Sequence, residues 1–176
     1  MVVHMGYKYY YKTKYGLDDI MLVSDDSIYL TGLYFLNSCD EDKFSNISKY
    51  EEKEISVFKE TILWLDIYFS GKNPSFTPKY KINNLTPFRS KVIDIMKDIK
   101  YGEVISYGDI ANKIAKINDI KRMSSQAVGG AVGFNPICII VPCHRVVGAN
   151  GKLTGYGGGI KNKKILLELE SGRLVI

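Results

Sequence analysis

Cys143 and His144 are neighbours that directly follow the apolar run 139–141 and Pro142. A thiolate is a strong nucleophile, and an imidazole beside it can accept the thiol proton. The pair therefore indicates a reactive thiol at the end of a buried segment. A free cysteine is also often a small buried hydrophobic residue without a chemical role. The local sequence leaves both interpretations open, so the rest of the chain has to decide between them.

The composition limits the kinds of site that this chain can carry. It has 176 residues, of which 45% are hydrophobic and 24% charged, as in ordinary folded proteins. Its three cysteines and two histidines have no CxxC or zinc-site spacing, so we expect neither a disulfide framework nor a metal. No run approaches the ~20 apolar residues of a membrane span, and no secretory signal is evident, which predicts a cytoplasmic protein. The net charge of +5 is a mild bias towards a polyanionic partner.

The N-terminal half is predicted to be a small antiparallel meander followed by a helix. Strands are predicted at 5–12, 20–24 and 28–36, where β-formers are separated by turn residues. The polar residues 41–53 are predicted to form a loop, and apolar residues at helical spacing predict a helix over 55–69. Glycine and proline are frequent in 71–85, which predicts a linker between two domains at 1–84 and 85–176.

The C-terminal half is predicted to be mostly helical. Helices are predicted at 87–99, 107–117, 126–133 and 160–170, with capping residues such as Thr86 before Pro87. The second and third of these form either a helix-turn-helix or another kind of helical hairpin. Residues 137–141 are predicted to be a buried strand that leads to Cys143. A hairpin-type turn at 149–152 and a glycine-rich loop at 153–159 follow it.

The predicted helix 126–133 is nearly free of long side chains. Each of its three glycines weakens a helix by roughly 1 kcal/mol relative to alanine. A helix whose backbone must lie very close to another surface gains from such residues. That surface is either a nucleic-acid groove or another helix of the chain. Glu170 lies at the C-terminal end of the last predicted helix, where the helix dipole disfavours a negative charge, so we expect its carboxylate to have a partner.

Motifs in the second half, all in the same order, resemble those of the O6-alkylguanine-DNA alkyltransferases (methylated-DNA–protein-cysteine methyltransferases). The resemblance covers about residues 85–170, and the N-terminal half fits more loosely. It implies an α+β fold with an N-terminal ribonuclease-H-like sheet-plus-helix domain and a C-terminal winged-helix-like domain that carries a helix-turn-helix. The motifs are Thr86-Pro87-Phe88, residues 101–107, 127–131, Asn135-Pro136, 142–147, 151–159, Lys163 and 166–170.

The resemblance implies direct repair of double-stranded DNA. The helix-turn-helix would enter the minor groove, and the damaged guanine would flip out of the stack. The thiolate of Cys143 would then take the alkyl group from O6-alkylguanine, and also from O4-alkylthymine. The thioether product is a poor leaving group, so the protein would act once per molecule. No cofactor is implied, and a monomer is the simplest expectation.

The resemblance also assigns roles to residues by their numbers in this chain. Cys143 is the nucleophile, His144 is its base through a water, and Glu170 orients the histidine. Asn135 holds the turn behind the site, and the Tyr107 hydroxyl donates towards N3 of the guanine. The implied DNA-binding residues are Gln126, Ala127, Gly129, Gly130 and Ala131. The implied substrate pocket contains the carbonyls of Cys143 and Val146, the wall residue Tyr156, the N–H of Gly157, and Gly158.

The sequence departs from the family pattern at Gln126, where many members have an intercalating arginine. The connection 115–125 is also longer than in compact relatives. Cys138 is predicted to be buried and inert, and Cys39 to have no role. Two other functions stay open: an alkyltransferase-like protein that binds damage without reacting, and a cysteine hydrolase that uses Cys143 with His144. Relatives of the former kind lack the nucleophilic cysteine.

Overall fold

A small sheet and five helices form the mixed α+β fold that the computed structural model describes for residues 6–174. Four strands make the main sheet, in the order β3-β2-β1-β4. The first three pair antiparallel, which confirms the predicted meander, and β4 pairs parallel to β1. Met5, which the prediction included in the first strand, lies outside the described residues. The strands are β1 Tyr7–Tyr11, β2 Ile20–Ser24, β3 Gly32–Phe35 and β4 Glu51–Glu52.

The predicted loop 41–53 is wrong in part. Two short 3-10 turns, Cys39–Lys43 and Ile47–Lys49, precede the two residues of β4. The Ser38 hydroxyl caps the first turn by accepting the N–H of Asp40 at 3.3 Å. Such short polar turns carry no apolar periodicity, so sequence patterns do not detect them. The third strand is also shorter than predicted, because Leu30 instead pairs with Tyr80 of the linker.

The five helices lie close to their predicted positions, and polar caps fix where three of them begin. Thr86, Ser106 and Ser124 each accept a backbone N–H in the first turn of the helix that follows. Ser106 forms a capping box with Asp109, which fixes the start of α3. The helices are α1 Ser56–Phe69, α2 Pro87–Lys97, α3 Tyr107–Ile117, α4 Ser125–Phe134 and α5 Ile160–Glu170.

The buried strand predicted at 137–141 is wrong, although most of the run is buried. Only Ile137 pairs like a strand residue, with Leu33 of β3, and the chain then turns back on itself. Ile139 has a φ of 68°, and the N–H of Val141 donates to the Ile137 carbonyl at 3.0 Å. A positive φ is strained for a β-branched residue, so the surrounding contacts must impose this turn. A short apolar run does not reveal such a turn.

Two further contacts join the halves of the chain near Cys143. The Leu33 N–H donates to the Pro136 carbonyl, and the Cys138 N–H donates to the Leu33 carbonyl, both at 2.9 Å. After Cys143, strand β6 (Val146–Val147) pairs parallel with β5 (Ile105–Ser106), just before α3. The larger buried apolar cluster also contains residues from both halves. Across the described part of the chain, no helix has the length and apolar character that a membrane span requires.

Candidate active site

Cys143 begins a 3-10 turn, Cys143–Arg145, and only 5% of its surface is exposed. The Asn135 side-chain amide donates to its sulfur at 3.1 Å and to the Val141 carbonyl at 2.9 Å. The Asn135 side-chain oxygen accepts the N–H of Ile137 at 3.0 Å. One amide thus holds the 137–141 turn and also contacts the thiol. The structure places Asn135 behind the cysteine, as the sequence predicted.

The environment of Cys143 favours its thiolate. The neighbouring Cys138 thiol is the main reason that the pKa of Cys143 lies below its ordinary value. The Asn135 amide and the Lys43 ammonium also lower this pKa, whereas burial and the nearby carboxylate of Asp40 raise it. Cys138 is buried, as the sequence predicted, and it also influences the pKa of the nucleophile. Because the thiolate is the reactive form, this shift supports nucleophilic chemistry.

Glu170 is the acceptor at the centre of a buried network, which confirms that it has a partner. Its carboxylate accepts the Arg145 guanidinium through Nε at 2.9 Å and through the terminal nitrogen at 2.9 Å. The Tyr68 hydroxyl donates at 2.7 Å and the Gly102 N–H at 3.2 Å. Burial opposes the charge, but His144 and Arg145 hold the pKa of Glu170 well below its usual range. Glu170 is therefore ionised, and both of its carboxylate oxygens accept hydrogen bonds.

His144 is completely buried and faces Glu170 with one side of its ring. Its Nε2 lies 2.8 Å from the Glu170 carboxylate, so we assign the ring proton to that nitrogen. The Nδ1 atom is buried and has no hydrogen-bond partner among the described residues. Burial lowers the pKa of His144 more than the carboxylate raises it, so the ring is neutral at pH 7. A lone pair on Nδ1 is then free to take a proton.

Tyr107 and the glycine-rich loop close the approach to the cysteine. The Tyr107 hydroxyl donates to the Gly155 carbonyl at 3.0 Å. On one side of this contact lies an open cleft of about 530 Å³, which Tyr107, Gln126 and Gly155 help to line. On the other side lies a cavity of about 10 Å³ beside Cys143, with Gly155 and Tyr156 in its wall. Such a cavity has room for about one water, so a nucleobase can enter only after the loop moves.

The remaining predicted pocket residues lie around this small cavity or next to it. A side chain at Gly157 would collide with the Asp40 carboxylate, and one at Gly158 with the Tyr156 ring, so both positions need glycine. The Tyr156 hydroxyl is buried and has no hydrogen-bond partner in the described part of the chain. The Val146 carbonyl accepts the buried Lys163 ammonium at 2.6 Å, so one of its two lone pairs is already used. The Cys143 carbonyl likewise accepts the Val146 N–H.

Helix α4 presents a smooth, open surface beside the cleft. Gln126, Ala127 and Gly130 are exposed, Gly129 is partly buried, and Ala131 is buried. A Cβ placed on Gly130 meets nothing within 4 Å, and one on Gly129 only touches the Tyr107 ring at 4.0 Å. Packing within the chain therefore does not require these two glycines. The structure does not bring Ala131 to the open surface with the other predicted DNA-binding residues, because its side chain points into the core.

Sequence reasoning did not identify several residues of the site. Arg145 follows the Cys-His pair directly, so its position gave a signal that was not used. Lys163 is part of a recognised motif, but nothing in the sequence indicates its buried bond to Val146. The other three residues come from the N-terminal half, where no local pattern points to the cysteine: Asp40, Lys43 and Tyr68. Within residues 6–174, no group of three or more histidine, cysteine or acidic side chains is arranged to hold a metal.

Comparisons with known proteins agree with this geometry. Residues 87–172 match the family model described as 6-O-methylguanine DNA methyltransferase, DNA binding domain. A methylated-DNA–protein-cysteine methyltransferase of Methanosarcina acetivorans is 38% identical over 162 residues, which cover 92% of this chain and 97% of that relative. One from Mycobacterium bovis is 47% identical over 117 residues, 66% of this chain and 67% of the relative. The structure of Mycobacterium tuberculosis OGT in complex with DNA superposes with a TM-score of 0.77 at 35% identity, covering 95% of this chain and 94% of that one.

Proposed function

The chain belongs to the family of methylated-DNA–protein-cysteine methyltransferases, and from this premise we propose that it repairs duplex DNA by moving the alkyl group of O6-alkylguanine to Cys143. The observation that carries the proposal is the buried Cys143 with a lowered pKa, next to a neutral histidine that Glu170 orients. O4-alkylthymine is a second substrate, since its alkyl group is also bound to an exocyclic oxygen. The active form is a monomer.

The reaction begins with the thiol proton of Cys143. His144 takes this proton at Nδ1 through one water, while its Nε2–H stays bonded to Glu170. The thiolate attacks the alkyl carbon in line, the carbon–O6 bond breaks, and its electron pair goes to the guanine. Tyr107 then donates its proton towards N3 as negative charge builds up on the base, and its own proton is replaced from solvent. The new thioether cannot be displaced by water, so each molecule reacts once.

Access of the base to Cys143 requires base flipping and a movement of the glycine-rich loop. The bond between the Tyr107 hydroxyl and the Gly155 carbonyl has to break, which frees the hydroxyl for the guanine. Gly155 has a φ of 60° and Gly159 a φ of 91°, values that favour glycine and give the loop two flexible points. The carbonyls of Cys143 and Val146 each keep one lone pair for the exocyclic amine of the base.

DNA approaches along the open surface of α4. Gly129 and Gly130 let the sugar–phosphate backbone lie against the helix, and Gln126 fills the space that the flipped guanine leaves. Glutamine can hydrogen-bond the orphaned cytosine but brings no charge. In the resulting architecture, residues 1–84 form the ribonuclease-H-like domain and residues 85–176 the winged-helix-like domain. Asp40 and Lys43 of the first domain act on the pKa of Cys143, which belongs to the second domain.

The two alternative functions have specific weaknesses. A damage binder that does not react has no use for a thiolate, yet several contacts here lower the pKa of Cys143. A cysteine hydrolase needs its base bonded to the thiol, whereas the Nδ1 atom of His144 has no hydrogen-bond partner among the described residues. Alkyl transfer uses both features, since the base can act through a water.

Intact mass spectrometry tests the proposal directly. After incubation with a duplex that contains O6-methylguanine, we expect the chain to gain the mass of one methyl group, located on Cys143 by peptide mapping. The Cys143→Ala variant should gain none, whereas the matched Cys39→Ala variant should react like the parent chain. If the thiol is free and the mass does not change, the proposal is wrong. Repeated turnover of an ester would instead support a hydrolase.

A further inference from the structure

A second buried thiol, Cys138, lies beside the nucleophile. The 137–141 turn folds the chain back, and the Ile140 N–H donates to the Cys138 carbonyl at 2.8 Å within it. The Cys138 thiol donates to Asp40, which also lines the cavity beside Cys143, so both sulfurs lie near the same carboxylate. Each thiol also shifts the pKa of the other. Both thiols also act on the buried hydroxyl of Tyr156, whose pKa burial and their negative charge raise well above its ordinary value. The two sulfurs therefore share one site.

The carboxylate of Asp40 is the hydrogen-bond acceptor of the Cys138 thiol. The Cys138 thiol donates to Asp40 Oδ2 at 3.2 Å, and Asp40 is only 2% exposed. The other oxygen of Asp40 pairs with the Lys43 ammonium at 2.6 Å, and Lys43 also donates to the Asn135 carbonyl at 2.9 Å. This arrangement places a proton acceptor next to the second thiol. It also explains why an acidic residue of the N-terminal half is buried beside the cysteine.

The two thiols are chemically different. Hydrogen bonding to Cys143 and burial raise the pKa of Cys138 well above its ordinary value, while the pKa of Cys143 is lowered. Of the two thiols, Cys143 is therefore the first to ionise, while Cys138 keeps its proton to higher pH. A thiolate reacts with peroxides far faster than a thiol does, so Cys143 is the first of the two to be oxidised.

We propose that Cys138 is a resolving thiol that converts oxidised Cys143 into a reversible disulfide. A peroxide oxidises the Cys143 thiolate to a sulfenic acid, and its second oxygen leaves as water or an alcohol. The sulfur of Cys138 then attacks that of Cys143, the sulfur–oxygen bond breaks, and hydroxide leaves as water with the proton that Asp40 takes from Cys138. The inference rests on the proposed role of Cys143 as the alkyl acceptor.

The site favours this outcome over further oxidation. The cavity beside Cys143 measures about 10 Å³, so only the smallest oxidants reach the sulfur without movement of the loop. The resolving thiol is bonded to Asp40, which lines the cavity beside Cys143, so the two sulfurs lie near one carboxylate before they close to the ~2.05 Å of a disulfide. A protein that uses its nucleophile once loses all activity if that sulfur reaches the sulfinic state. A disulfide would instead keep the acceptor recoverable.

Peptide mapping after oxidation tests the inference on the full chain. Trypsin has no cleavage site between Met123 and Arg145, so one peptide contains Cys138 and Cys143 but not Cys39. After treatment with hydrogen peroxide, we expect this peptide to lose two hydrogens and methyl transfer to disappear. Dithiothreitol should restore both. The matched Cys39→Ser variant, which removes the exposed thiol, should behave in the same way.

Two replacements of Cys138 show whether it protects Cys143. In Cys138→Ser and Cys138→Ala, we expect Cys143 to gain oxygen atoms and methyl transfer to stay lost after dithiothreitol. Thermal unfolding of the untreated variants close to the Tm of the parent chain shows that they fold, and the transfer rate of each variant before oxidation is its own reference. Oxygen addition at Cys143 of the parent chain without a disulfide, or a disulfide to Cys39, would overturn the inference. If the untreated parent chain accepts no methyl group, the proposed function fails, whereas disulfide formation is still measured independently.

Discussion

Replacing Gly130 by alanine should make the protein more stable and a weaker DNA binder. Gly130 is exposed in the interior of α4, and a Cβ added there meets nothing within 4 Å. Alanine is favoured over glycine in a helix by about 0.5–1 kcal/mol, which raises the Tm of a chain of this size by about 1–4 °C. If the DNA backbone lies against this helix, the same methyl group overpacks the interface.

The expected loss of affinity follows from the cost of overpacking, which is about 1–3 kcal/mol per site. Since 1.4 kcal/mol is tenfold in affinity, binding should weaken by about 5- to 150-fold. Fluorescence anisotropy with a labelled O6-methylguanine duplex measures this in a Cys143→Ser background, where no transfer takes place. Leu63→Ala, at an exposed site on α1, is the control and should not change DNA affinity. A Gly130→Ala variant that is more stable but binds DNA equally well would refute the close approach of α4.

Four further predictions concern three residues around the site. Gln126→Arg should tighten duplex binding at low salt and Gln126→Ala should weaken it; equal affinity in both would show that this side chain does not fill the gap. Because burial lowers the pKa of His144, the single-turnover rate should stay constant from pH 8 to below pH 6.5 and fall only when the ring gains a proton. A fall in the rate already between pH 7 and 6.5 would contradict a neutral base. His144 also binds its proton more readily in the unfolded chain, so the free energy of unfolding should decrease as pH falls below 6.5, as pH-dependent thermal unfolding can measure. Tyr107→Phe should open the loop, seen as faster amide exchange at Gly155, yet should slow transfer, and fast transfer would remove Tyr107 from the mechanism.

Local signals in the sequence were sufficient to place most elements of the fold. Three of the helices begin at side-chain caps, and α1 and α2 contain clear apolar periodicity, so the helices could be predicted within a few residues. The partner of Glu170 could also be expected, because the end of a helix disfavours a carboxylate. The glycines of α4 were recognisable as unusual because they fall within one predicted helix. In each of these cases, the sequence signal lies within about one helical turn of the residue concerned.

The parts that were missed depend on contacts between distant segments. The turn at Ile139 is held by the Asn135 amide and by the backbone of Leu33. The apolar run 137–141 by itself does not indicate either contact. Asp40 is a charged residue in a polar stretch, so nothing nearby indicates that it is buried against Cys138. Tyr68 fits the apolar face of α1, and its bond to Glu170 spans 102 positions of the chain. The burial of Cys138 was predicted correctly, whereas the role that we propose for it depends on these long-range neighbours.

The position of Glu170 also has a consequence for the order of synthesis. The ribosome makes Cys143 before it makes the carboxylate that orients His144 and binds Arg145. While α5 is missing, His144 and Arg145 have no carboxylate to bind. The hydrogen-bonded group of Tyr68, His144, Arg145 and Glu170 is therefore completed only when α5 packs against the rest of the fold.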